Sequence, residues 1–195
     1  MDGATRRSFL VTVGVAAGVV ASGCVGEDDE TPEVPEGSEG SLSVSSLAFE
    51  DGGEIPAEYT CDGANSSPPL HIEGVPEAAE TLALVVDDPD APDTTYVHWL
   101  LWNIPADTEQ IPQSMPQGPA ISDLGGAEQG TNDNGDVGYF GPCPPPEDGP
   151  HTYRFILYAV DTELELEAGS TRDELDAALE GRTVGAGRLN GTYER

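Results

Sequence analysis

Gly138-Tyr139-Phe140-Gly141-Pro142-Cys143-Pro144-Pro145-Pro146-Glu147-Asp148-Gly149-Pro150-His151-Thr152-Tyr153 runs without a break into Arg154-Phe155-Ile156-Leu157-Tyr158-Ala159-Val160. The first part holds five prolines and three glycines. Proline fixes φ and supplies no donor, while glycine admits positive φ, so this part is neither helix nor central strand. It is a stiff, shaped loop. Such a loop loses little entropy when it closes on a ligand, and its glycines let backbone N–H groups approach an anion, which makes it a candidate binding wall. His151 and Tyr153 at its exit supply polar groups, and the apolar run from Tyr153 to Val160 reads as a strong strand.

Working back from this stretch, Tyr96 to Ile104 is a second β-rich run, containing His98, Trp99 and Trp102. Thr81-Leu82-Ala83-Leu84-Val85-Val86-Asp87 is continuously apolar between turn residues, as expected of a strand buried on both faces. It ends in Asp88-Pro89-Asp90-Ala91-Pro92, where two prolines stop the ladder and two carboxylates stand at a strand end. Leu70 to Glu73 alternates as a short strand, and the loop of residues 60–69 precedes it. Leu42, Val44, Leu47 and Phe49 suggest a first strand. Residues 106–136 are low in periodicity and rich in Gly, Gln, Asn and Asp, which reads as a long surface excursion.

Working forward, Thr171 and Glu174 form a capping box, Leu175, Ala178 and Leu179 line one helix face, and Gly181 stands where a left-handed C-terminal residue belongs. Residues 183–193 read as a closing strand. Many strands, one clear helix and no strand–helix alternation predict a mainly β, mostly antiparallel domain over residues 41–195. About 155 residues are one domain's worth, enough for a core without stapling.

The charge is extreme. Thirty-seven acidic residues stand against seven basic ones for a net −30; all seven are arginine, and lysine is absent. The acids are spread along the chain, unlike an acidic tail built to bind a basic partner. Their mutual repulsion is screened at molar salt, where the Debye length is about 3 Å, so the composition predicts adaptation to high salt. Nucleic-acid binding is excluded, because phosphate contacts need clustered Lys and Arg.

At the N-terminus, Thr5-Arg6-Arg7-Ser8-Phe9-Leu10 leads an uncharged run of about 14 residues, shorter than the ~20 a membrane-spanning helix needs. Residues 1–23 therefore read as a signal peptide, and the paired arginines resemble a twin-arginine export signal. Ala21-Ser22-Gly23-Cys24 resembles a lipobox, with Ala21 where leucine is frequent. Cys24 is then the lipid-modified residue that anchors the chain to the outer face of the cell membrane. Residues 24–40 form an acidic Pro/Gly/Ser tether with almost nothing apolar to bury. An exported chain meets oxidising conditions, so the remaining cysteines, Cys61 and Cys143, either form a disulfide or stand as two separate buried thiols.

Of three histidines, His98 and His151 lie beside the two most unusual loops. With Asp88, Asp90 and Tyr153 they make a set of polar groups at strand ends, the kind of cluster that defines a small-molecule pocket. A His98 held by Asp88 or Asp90 would be favoured in its charged form and would give a cationic spot on an acidic protein.

At this point the chain resembles a known family. Ser67-Pro68-Pro69-Leu70, Asp87-Asp88-Pro89-Asp90-Ala91-Pro92, residues 97–105, residues 138–145 and His151-Thr152-Tyr153-Arg154-Phe155 are similar, in order and spacing, to the phosphatidylethanolamine-binding protein family, which includes Raf kinase inhibitor protein, and to its bacterial and archaeal branch above all. The resemblance spans residues 42–193. It implies an antiparallel β-sandwich with few short helices and, at one end, a small anion pocket that accepts phosphate, phosphoethanolamine or a similar head group without metal or cofactor. Asp88 and His98 match its pocket positions, Asp90 sits at the second aspartate of the same motif, and His151 and Tyr153 match the histidine and tyrosine of the opposite wall, which Gly141, Pro142, Pro144 and Pro145 would shape with N–H groups facing the anion. The family often has arginine where Thr152 stands, so one positive charge is missing at the mouth.

The leading expectation is a lipid-anchored extracellular binding protein for a small anionic ligand or phospholipid head group. A protease inhibitor or regulatory partner-binding protein is the alternative, as some members of the family are. A metal-assisted hydrolase comes last, since no Ser or Cys stands in an activating motif and the acids and histidines lack the short helical spacing of a zinc hydrolase.

Overall fold

Every position from Leu82 to Asp87 is buried, because the strand that carries them is covered on both faces. The structure, a computed structural model, describes residues 42–195. The signal peptide, Cys24 and the acidic tether read from the sequence lie outside the described residues. Within the described residues ten strands run in chain order: β1 (Ser43–Ser45), β2 (Gly53–Glu54), β3 (Leu70–Glu73), β4 (Thr81–Asp88), β5 (Tyr96–Pro105), β6 (Gln110–Ile111), β7 (Ala120–Ile121), β8 (Ala127–Gln129), β9 (His151–Val160) and β10 (Thr183–Tyr193), with one α-helix, α1 (Arg172–Leu179), before the last.

Seven strands form the large sheet in the order β2-β10-β9-β4-β5-β8-β7, and β1-β3-β6 form a small one. All pairings are antiparallel except that of β2 with β10 at the sheet edge. Side chains alternate across a strand, so β4 and β9 serve two cores at once. Leu82, Leu84, Val86, Phe155 and Leu157 face the small sheet and pack with Val44, Leu70, Ile72 and Ile111. Ala83, Val85, Ile156, Tyr158 and Val160 face the other way and pack with Leu164, Leu175 and Leu179. Each fully buried Val, Leu, Ile or Phe contributes about 1.5–3 kcal/mol, so a strand apolar on both faces is the natural centre of this sheet.

The helix forms where the sequence places it. Thr171 and Glu174 make both reciprocal bonds of the capping box, Leu175 and Leu179 are buried, and Gly181 follows at φ +70°. An ion pair fastens it to the sheet: Arg172 donates to Asp87 at 3.0 Å, while Asp176 one turn along the helix accepts from Arg172 at 2.7 Å and Arg154 Nε on β9 donates to the same Asp87 at 2.7 Å.

Two expectations need correction. The first strand stops at Ser45, and Leu47, read as part of it, is 83% exposed. Residues 106–136 are not a surface excursion: β6, β7 and β8 lie there, and Ile111, Ile121, Leu124, Ala127 and Gln129 are buried. Side-chain bonds rather than apolar periodicity hold this segment. Gln129 accepts the Trp99 indole N–H at 2.7 Å and donates to the Pro116 and Gly118 carbonyls at 2.9 and 2.7 Å.

Candidate functional site

The end of β4 and the beginnings of β5 and β9 meet at one end of the large sheet, where Asp88 pairs with Tyr96 across the ladder. The proline-rich loop crosses these strand ends. A cavity of about 290 Å³ lies between them, with Asp88, His98 and His151 on the sheet side, Pro144 and Pro145 on the loop side, and Asn134 at the rim.

Each polar group is held by local geometry. His151 is the first residue of β9 and shares the face of Tyr153 and Phe155, so its ring meets Asp88 at the end of the neighbouring strand. Its Nδ1–H donates to Asp88 Oδ2 at 2.8 Å, and both side chains are 5% exposed. The other oxygen of Asp88 accepts the Asp90 N–H at 2.9 Å. The carboxylate is thus engaged on both sides and cannot turn away. His98 lies in a β-bulge: Val86 opposes Trp99 while Asp87 opposes Val97, leaving His98 unmatched in the ladder. Bulges re-aim a side chain, and here the ring faces the cavity between Tyr96, Phe140 and Tyr153, with centroid distances of 4.9, 6.0 and 5.2 Å.

The carbonyl of Phe140 lies 2.7 Å from His98 Nδ1. A carbonyl oxygen only accepts, so Nδ1 carries the hydrogen and Nε2 is the ring's remaining polar atom. Burial pushes the His98 pKa down, outweighing the Phe140 carbonyl and the Asp88, Asp87 and Asp133 carboxylates that favour the charged ring. The expected cationic His98 is corrected on two counts: Asp88 holds His151 instead, and burial disfavours the charged form of the His98 ring. Burial also raises the Tyr153 hydroxyl far above its ordinary range, reinforced by the nearby Asp88 carboxylate. That hydroxyl makes no hydrogen bond of ordinary geometry.

Other residues chosen from sequence lie behind the site. Asp90 is exposed and its Oδ2 accepts the Thr152 N–H at 2.8 Å, tying the two loops together. Gly141 directs its N–H to Asn65 Oδ1 at 2.7 Å, away from any anion. A Cβ at Gly141 would stand 2.3 Å from the Tyr59 carbonyl oxygen, so glycine is required there for packing. Pro142 is buried, and its carbonyl accepts the Cys61 N–H at 3.1 Å. Cys61 and Cys143 form a disulfide with Cα atoms 5.4 Å apart, and Cys143 lines the cavity, so the bond fastens the proline wall to the 60–69 loop. Tyr96, Phe140 and Asn134 were not chosen from the sequence. Tyr96 could have been, since it stands two residues before His98 on the same strand.

Among the described residues no three of His, Cys, Asp and Glu gather closely enough to hold a metal ion. No lysine or arginine lines the cavity. A second hollow, of about 540 Å³, lies between residues 71–75 and 106–109 and brings together none of these groups.

The phosphatidylethanolamine-binding protein family model matches residues 45–194. A UPF0098 protein of Methanothermobacter thermautotrophicus is 46% identical over 154 residues, covering 79% of this chain and 99% of that protein. A Mycobacterium tuberculosis protein provisionally named lipoprotein LppC is 38% identical over 208 residues, covering the whole of both chains. Among solved structures, a phosphatidylethanolamine-binding protein homologue assigned provisionally in Chlamydia trachomatis, CT736, superposes with a TM-score of 0.72 at 36% identity, over 80% of this chain and 99% of that one. Escherichia coli YbcL superposes with a TM-score of 0.72 at 31% identity, over 79% and 98% of the two chains.

Proposed function

The chain belongs to the phosphatidylethanolamine-binding protein family, and on that premise we propose that it is an exported, lipid-anchored binding protein whose cavity holds a small phosphate-bearing or carboxylate ligand. The observation that carries this reading is the Asp88–His151 pair in the wall of a small cavity closed by a proline-rich loop. Asp88 fixes His151 Nδ1–H and leaves Nε2 to the ligand. An arriving anion favours the protonated ring, which then donates a charge-assisted hydrogen bond from Nε2. The prolines and the disulfide hold the wall in shape before the ligand comes, so little ordering entropy opposes binding.

Anchoring through Cys24 is supported by the Arg6-Arg7 pair, the Ala21–Cys24 motif and the lipoprotein name of the mycobacterial relative. Adaptation to high salt rests on the −30 net charge.

Native mass spectrometry of protein purified at high salt tests the pocket. A co-purifying ligand, or uptake of added phosphoethanolamine, is expected in the wild type, with loss in His151→Ala. Equal uptake by both proteins, or none by either, overturns the reading; stoichiometric zinc uptake would favour the hydrolase. Cys24→Ser should move the chain from the membrane fraction to the medium, and its retention in the membrane would refute the anchor.

A further inference from the structure

One peptide group of the proline-rich loop is held from both sides. The carbonyl of Phe140 accepts from His98 Nδ1 at 2.7 Å, and the N–H that follows it, that of Gly141, donates to Asn65 Oδ1 at 2.7 Å. These two groups belong to the same peptide bond. Such a bond is planar, with its C=O and N–H pointing in opposite directions, so whatever fixes the N–H also fixes the aim of the carbonyl.

Asn65 is itself well placed to hold that plane. It sits at φ +53°, in the left-handed region that asparagine tolerates better than most residues. Its loop is joined to the proline wall by the Cys61–Cys143 disulfide and by the Cys61 N–H, which donates to the Pro142 carbonyl at 3.1 Å. Glycine at 141 permits the close approach, since a Cβ there would stand 2.8 Å from Asn65 Oδ1. On the other side, the Phe140 N–H donates to the His98 carbonyl at 2.9 Å, so His98 and Phe140 are joined through backbone and ring alike. Asn65 is not among the residues that line the cavity, and any effect it has there passes through this peptide.

Resting on the pocket reading above, we propose that Asn65 is a positioning residue for the cavity: by holding the Gly141 N–H it aims the Phe140 carbonyl at His98 Nδ1, keeps a hydrogen on that nitrogen and leaves Nε2 for the ligand. Which nitrogen of a histidine meets a ligand is decided by the partner of the other nitrogen. Linked hydrogen bonds polarise one another, so the acceptor at Asn65 also makes the Phe140 carbonyl a stronger acceptor. The assignment is the same for a neutral and a charged ring, because Nδ1 donates in both.

Nitrogen-15 NMR of the His98 side chain tests it in the full chain at constant high salt and about pH 8.5, above the ordinary histidine pKa of about 6.5. Wild type should carry the ring hydrogen on Nδ1. Asn65→Gly keeps the left-handed backbone and removes the acceptor; it should move hydrogen towards Nε2 and weaken phosphoethanolamine binding about two- to tenfold, the effect of one hydrogen bond. Asn65→Asp keeps an acceptor, so hydrogen should stay on Nδ1, and its charge should polarise the peptide further and move the Nδ1–H proton frequency downfield. A ring hydrogen on Nε2 in wild type, or an unchanged Nδ1 pattern in Asn65→Gly whatever its stability, overturns the proposal. So does an unmoved Nδ1–H frequency in Asn65→Asp, which decides the matter if the glycine variant does not fold. Failure of the wild type to bind phosphoethanolamine overturns the pocket reading instead, since the NMR comparison needs no ligand.

Discussion

Asp87 and Asp88 are neighbours in the chain and serve opposite purposes. Both are buried at the end of β4, and the alternation of the strand sends them to opposite faces of the same sheet. Asp87 turns towards α1, where Arg154 and Arg172 both donate to it and Asp176 completes the set. Asp88 turns towards the cavity and holds one histidine, His151. A carboxylate between two guanidinium groups is a fastening. A carboxylate that fixes one nitrogen of an imidazole leaves the other for chemistry, so the partner set rather than the residue type separates structure from site.

The largest expected effect tests the fastening. Asp87→Ala leaves two partly buried guanidinium groups without their shared carboxylate, and removing one member of a buried ionic set costs about 3–5 kcal/mol. Urea unfolding at constant high salt should show that loss, while ligand affinity of the folded fraction stays within twofold of wild type. A comparable loss of affinity would mean that the two faces are coupled, and the contrast between Asp87 and Asp88 would collapse.

Next comes the wall. Cys61 and Cys143 are 82 residues apart, and closing a loop of that order stabilises by about 2–4 kcal/mol in typical cases. The double variant Cys61→Ser/Cys143→Ser should unfold at correspondingly lower urea, and it should also bind ligand more weakly, because Cys143 belongs to the cavity. Lowered stability with unchanged affinity would show that the prolines alone shape the wall.

Asp88→Asn is the mirror of the first experiment. It keeps an acceptor for His151 but removes the charge, and a hydrogen bond to a charged group contributes about 1.5–3 kcal/mol. Ligand affinity should fall about tenfold or more, with a stability change well below that of Asp87→Ala. If instead Asp88→Asn unfolds the protein and leaves affinity intact, the assignments of the two aspartates must be exchanged.

The same contrast explains how far the sequence could be read. The strands β4, β5, β9 and β10 and the helix were legible because apolar runs and a capping box are local signals. The segment of 106–136 was not, because its buried residues come in two- and three-residue strands held by Gln129 and Asn132 amide bonds, which leave no period to detect. Within the site, the strand-end aspartates and both histidines were visible, but their pairing was not. Asp88 and His151 are 63 positions apart, and only the register of β4 against β9 brings them together. Asp90 and Gly141 were chosen by motif position, whereas Asp90 Oδ2 engages a loop amide and the Gly141 N–H engages Asn65. No local pattern announces the bulge that turns His98 inward.

The two histidines offer the finest test. Burial holds the folded His98 below its ordinary pKa, whereas the unfolded ring titrates near ~6.5. Between those values the unfolded chain binds more protons, so stability must rise with pH there. His98 therefore contributes its full stability above pH ~6.5 and loses it as pH falls towards the folded value, at a slope no greater than about 1.4 kcal/mol per pH unit for one group. Acidic side chains add their own slope in this range, so the comparison is between wild type and His98→Gln across pH 5 to 7. The variant should lose stability overall and show the shallower pH dependence. Parallel curves would mean that His98 titrates alike in both states and that burial does not disfavour its charged form in the folded protein.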